Sequence, residues 1–204
     1  MLLRLRRHRA RLDRGTALLE SALVSPLFFF AVLAVIEYSL LFKDYISVNN
    51  STRDAAREAS ATADETFADY AILRTASRSL SILEGRVNRV IVFKATGRND
   101  AVPAACLAIT PSASPAGVTG VCNVYNGSGL SAARAAFGYD ATFHPDATLL
   151  DQYWPASTRA NQSSTVQYIG VYVEAVHHPV TGLLSSDRTV TEKVIMPFET
   201  RRAG

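Results

Sequence analysis

Two cysteines and four histidines are the residues of this 204-residue chain best suited to covalent or metal chemistry. Cys106 and Cys122 flank the turn-rich stretch TPSASPAG at 110–117. In an oxidising compartment they form a disulfide that closes this loop, worth roughly 3 kcal/mol by the chain-entropy model. A zinc site needs more ligands than His8, His144, His177 and His178 supply. His177 and His178 are neighbours on an expected strand and so point to opposite faces, one to the surface and one to a core edge. The run Gly127-Ser128-Gly129-Leu130-Ser131-Ala132 fits a degenerate dinucleotide fingerprint. No βαβ alternation surrounds it, so it reads as a glycine-rich turn. No nucleophile elbow, HExxH pair or P-loop is present. Asp140, Asp146 and Asp151 fall in a loop where no acid pair can be assembled. The chain reads as a non-enzyme with no cofactor and no metal.

Carboxylates in an apolar setting are the more informative residues. From Ala22 to Phe42 the chain reads ALVSPLFFFAVLAVIEYSLLF. As a helix this run rises about 31 Å, close to the roughly 30 Å hydrocarbon core of a bilayer. Six arginines and one aspartate precede it within residues 1–14, and Lys43 alone follows at its far end. The positive-inside rule then puts the N-terminus in the cytoplasm and everything beyond Asp44 outside, a cytoplasmic (inner) membrane arrangement. The run is longer than a signal-peptide core, and LFKDYISVNN after it lacks a small-x-small cleavage site. A carboxylate within a span marks a functional or protein-facing position unless it reaches an interface. Glu20 sits at the inner boundary. Glu37 sits one and a half turns before the outer end, where reaching the outer interface and facing protein are both open. Pro26 either kinks the helix or only thins its hydrogen bonding.

The junction Arg14-Gly15-Thr16-Ala17-Leu18-Leu19-Glu20 carries a basic leader, a glycine and a glutamate five positions later. This pattern resembles the class III signal of type IV pilins. Over residues 14–60 the chain resembles TadE-like proteins of tight-adherence (Flp) pilus systems, through the RG-x-A-x-x-E start, Pro26, the Glu37-Tyr38 pair and NNSTRDAAREAS at 49–60. The resemblance implies processing between Gly15 and Thr16 by a prepilin peptidase. It also implies that Glu20 pairs with the new α-amino group of its own or a neighbouring subunit, fixing register between packed helices. Glycine suits the scissile position because it is small and flexible. Glu20, Pro26 and Glu37 are the expected helix-packing residues. The expected partners are Flp-type pilin, other pilus-assembly proteins and the membrane.

Beyond the span, residues 44–84 hold no Gly or Pro, and their apolar stripe from Val48 to Leu83 recurs about every 3.5 residues, a helical period. Segments 87–95, 166–176 and 188–198 alternate and are β-branched, so they predict strands, with shorter candidates at 102–109 and 120–126. A short helix is expected at 129–138, GLSAARAAFG. The organisation expected is a basic cytoplasmic leader (1–15), a transmembrane helix (16–43), an amphipathic stalk helix (44–84) and a β-rich extracytoplasmic domain (85–204). The fold class is α+β, with a long N-terminal helix laid on a small, mostly antiparallel sheet. The net charge of +3 comes from the leader alone, since the remainder is slightly acidic. That excludes a basic nucleic-acid-binding face, so no nucleic acid is expected as a partner. The function implied is a pilin-like, membrane-anchored component of pilus biogenesis or related envelope secretion. The alternative is a permanently anchored extracytoplasmic binding module unrelated to a filament.

Overall fold

A computed structural model describes residues 2–83, 85–159, 167–182 and 186–199, with the backbone alone for 2–15. It forms two compact units, Met1–Phe42 with Pro179–Ser186, and Lys43–His178 with Asp187–Gly204.

Helix α1 spans Leu2–Thr62 and continues through Pro26. Within the described residues, the helix from Thr16 onward is the one long and apolar enough to cross a membrane. In the first unit its large side chains, Leu23, Leu27, Phe28, Phe29 and Phe30 among them, are exposed. Helix surfaces that are apolar all round suit a lipid environment.

In the second unit α1 turns at 63–67, closed by Glu65 N–H to Thr62 O (2.8 Å) and Ala68 N–H to Glu65 O (2.8 Å), and α2 follows at Ala68–Leu80. The single helix expected over 44–84 is therefore a hairpin. Ser47 donates to Ser79 O (2.5 Å) and Ser51 to Ala76 O (3.0 Å), which fixes the two helices as antiparallel. Length explains the reversal. A straight helix of that extent would measure about 60 Å, whereas a ten-residue strand spans about 34 Å. Folding back lets both halves of the stripe bury on one sheet. Val48, Ala55, Ala56 and Ala59 of α1 and Ile72, Leu73, Ala76 and Leu80 of α2 are all buried. The segment packs on the sheet as the fold class expects, but as two helices in place of one.

Five strands follow: β1 (Val87–Ala95), β2 (Gly117–Val118), β3 (Cys122–Tyr125), β4 (Tyr168–His177) and β5 (Arg188–Pro197). They form one antiparallel sheet in the order β2-β3-β1-β4-β5. Val90 and Val92 lie opposite Val173 and Val171. On this face His177 meets α1 and Tyr125 and Asn123 meet α2, so the hairpin covers it. The other face carries Ile91, Phe93, Ala95, Cys122 and Val124 beneath the 96–121 excursion. Gly170 stands opposite Phe93, and a Cβ there would lie 2.2 Å from the ring, so glycine is what lets the ring cross β4.

The stretch 102–109 is not a strand. Ala104–Leu107 forms a one-turn helix, α3, entered from Pro103. Proline suits the position ahead of a helix, and Ala-Ala-Cys-Leu has higher helical than strand propensity. In place of the helix expected at 129–138 there are two 3₁₀ turns, Gly127–Ser131 and Arg134–Ala136, the first capped by the Asn126 side chain on Gly129 N–H. Gly129 opens the expected segment and Gly138, at φ +92°, closes it, and glycine disfavours an α-helix.

Candidate functional site

Glu37 is a carboxylate in the middle of an apolar helix surface, yet it is only 1% exposed. It accepts the N–H of Val180 (3.1 and 3.2 Å to its two oxygens), the N–H of Thr181 (2.7 Å) and the Thr181 hydroxyl (2.6 Å). Pro179 and Gly182 (φ +74°) shape this turn, and its positive φ is a conformation that glycine adopts without strain. An unsatisfied carboxylate within a spanning helix costs roughly 3 kcal/mol on insertion scales. Here backbone donors replace water. Of the two sequence readings, Glu37 takes the protein-facing one, with its own chain as partner.

Seven residues further along α1, Asp44 is buried between two basic groups. Arg86 Nη1 donates to its Oδ2 at 2.6 Å, and His177 Nδ1 lies 2.8 Å from the same oxygen. Arg86 O in turn accepts from Val176 N–H, so the cluster ties α1 to the entry of β1 and the end of β4. His178 is exposed and pairs with Asp187 at 2.9 Å. The two histidines do point to opposite faces.

A third cluster lies under α2. Asp69 accepts from Arg159 Nη1 (2.6 Å), Asn123 Nδ2 (2.7 Å) and the Tyr125 hydroxyl (2.5 Å). Arg159 also donates to Trp154 O and stacks 4.3 Å from the Trp154 ring. Burial, reinforced by the Asp69 charge, pushes the Tyr125 phenol well above its ordinary range. Asp151 accepts from Gly138 N–H and Tyr139 N–H, and burial raises its carboxyl. Asp140 caps a local turn through Thr142 N–H. These acids are thus occupied in holding backbone. Among the described residues no three His, Cys, Asp or Glu side chains converge as a metal site.

Cys106 and Cys122 are joined by a disulfide that links α3 to β3 and closes the second core over the sheet. Gly15 and Thr16 lie within α1, Thr16 and Glu20 are exposed, and the Gly15 side-chain position and the rest of the leader's side chains lie outside the described residues. A groove of about 790 Å³ opens between α2 and the 126–131 turn, lined by Arg74, Ser77, Asn88, Asn126 and Ser131 among others. Leu80, Leu83, Val87, Pro111 and Leu130 line it as well, so its walls mix apolar side chains with amides, hydroxyls and one guanidinium. The groove, the Asp44 cluster and the Asp69 cluster were not anticipated from sequence. Only Asp44, an acid directly after the span, carried a local signal.

An apolar helix of membrane-crossing length leading into a helix-covered antiparallel sheet defines a class: single-pass α+β proteins. Residues 15–57, about a fifth of the chain, match the family model described as TadE-like protein, so this helical segment is TadE-like. No curated protein and no solved structure matches the chain.

Proposed function

We propose that the protein is a non-catalytic, pilin-like component of tight-adherence (Flp) pilus biogenesis or a related envelope secretion apparatus, anchored in the inner membrane by α1. The observation that carries this reading is the TadE-like match over 15–57, which spans Gly15, Thr16, Glu20, Pro26 and Glu37 in one segment. In this reading the arginine-rich leader stays in the cytoplasm and the sheet domain lies outside. A prepilin peptidase cuts between Gly15 and Thr16. Glu20, exposed on α1, then pairs with the new α-amino group in its own or a neighbouring subunit. Pro26 adapts the helix to lateral packing. Glu37 serves its own subunit, keeping the turn at 180–181 against α1.

N-terminal sequencing of the membrane-extracted protein, with and without the host's prepilin peptidase, tests this. A start at Thr16 that depends on the peptidase is expected. A start at Met1 in both strains would leave a permanent anchor. That second reading, an anchored binding module, draws on the groove of mixed polar and apolar lining beside α2.

A further inference from the structure

The turn at 179–182 lies in the connection from β4 to β5, yet it groups with the apolar part of α1. Glu37 fixes where it sits. Five residues separate Glu37 from Phe42, the end of the apolar run, which is about 7.5 Å along a helix. The backbone of Val180 and Thr181 is hydrogen-bonded at the level of Glu37, so the turn lies at that depth. Around it on α1, Ile36, Tyr38 and Phe42 are exposed. Val180 itself is 74% exposed, although it is aliphatic and its backbone N–H is held by Glu37. His178 and Asp187, exposed and paired with each other, flank this connection in sequence.

An apolar tip level with the outer turns of a spanning helix fits a bilayer interface. In water the same arrangement would leave Val180, Tyr38 and Phe42 as a solvated apolar patch. The peptide N–H groups that would be costly to bring into lipid are the ones that Glu37 accepts. We propose that the 179–182 turn is a membrane-seated foot: it enters the acyl–headgroup boundary beside α1, is held there by Glu37, and presents Val180 to lipid. This rests on the reading of α1 as a membrane span. It adds a second point of attachment between the protein and the bilayer.

The test uses the full chain, one copy per phosphatidylcholine nanodisc, with Cys106 and Cys122 left oxidised. The fluorophore NBD is attached in separate preparations at Val180→Cys, Phe29→Cys in the middle of the span and Asp146→Cys on the aqueous domain. Dithionite, which bleaches NBD in water, and nitroxide-labelled lipids, which quench it in the bilayer, read each position. Val180→Cys should bleach at least an order of magnitude more slowly than Asp146→Cys and should be quenched most by shallow nitroxides. Adding Glu37→Ala should restore fast bleaching at position 180, while Trp154 emission reports an intact domain. Bleaching at 180 as fast as at 146, with 29 still protected, would overturn the foot and leave the span standing. Protection at 180 without lipid quenching would mean that protein covers it, which also overturns the proposal. An aqueous probe at 29 would remove the span and the foot together.

Discussion

Replacing Arg159 by methionine should be the most damaging single change in the sheet domain. The side chains of Arg159 and Asp69 are 0% and 1% exposed, and their 2.6 Å contact sets an opposite charge against the Asp69 carboxylate. Without the guanidinium, Asp69 keeps two neutral donors, Asn123 and Tyr125, and Trp154 O loses the donation from Arg159 Nη2. Breaking a buried pair from one side costs about 3–5 kcal/mol, because the remaining charge stays buried. For a domain of this size that lowers Tm by roughly 10 °C. Removing both charges, as Asp69→Leu with Arg159→Met, should cost less than the two single changes added together, by at least about 1 kcal/mol. The assay is thermal and urea unfolding of the full chain in detergent, followed by fluorescence. Trp154 is the single tryptophan and lies 4.3 Å from the Arg159 guanidinium, so its emission reports the network directly. An Arg159→Met variant within about 1 kcal/mol of the parent, or strict additivity in the double variant, would refute the reasoning.

The remaining expectations concern the disulfide and two acids. Reduction, or Cys106→Ser with Cys122→Ser, should cost about 3 kcal/mol, read as a lower Tm with and without reductant, and a change below about 1 kcal/mol would count against it. Asp151 and Asp100 should give opposite pH dependences. Burial foremost raises the folded pKa of Asp151, so its contribution is full below the ordinary carboxylate value and is lost as pH rises through the raised one. Asp151→Asn should remove that loss, and parallel stability–pH profiles for parent and variant would contradict it. Asp100 is held below its ordinary value, first by the Thr96 N–H, so its contribution is present above that value and is lost as pH falls through the lowered one. Asp100→Asn should flatten the acid limb of the profile.

What could be read from sequence follows from how local each signal is. β1 was legible to the residue because its alternation and flanking turns are contiguous, and β4 and β5 were legible within two residues. The period of the 44–84 segment was also legible, whereas its reversal was not. Asp64, Glu65 and Thr66 are unremarkable in a helix, and what forces the turn is the width of a sheet formed much later in the chain. Cys106 and Cys122 were readable from compartment and loop length. Asp69, Asn123 and Arg159 were not, since single polar residues up to 90 positions apart leave no pattern. Glu37 stood out at once as an acid in an apolar run. Its partners did not, because backbone N–H groups have no sequence signature.

The acids on the helices share one logic. The buried stripe of α1 contains Ala55, Ala56 and Ala59, a smooth surface that packs closely but can slide with little loss of contact. Apolar packing alone therefore sets how near α1 lies and only weakly sets its axial position. Each buried carboxylate removes that freedom. Asp44 fits only where Arg86 and His177 converge, and Asp69 only where Asn123, Tyr125 and Arg159 converge. A shift of one helical turn, about 5.4 Å, would strand either charge without partners, at several kcal/mol. Buried ion pairs add little stability over apolar replacements, so their retention at these positions is best explained by register. Glu37 applies the same rule to the 180–181 turn, where three donors meet one carboxylate. The helical segment thus carries the keys, and the sheet and its loops carry the matching donors.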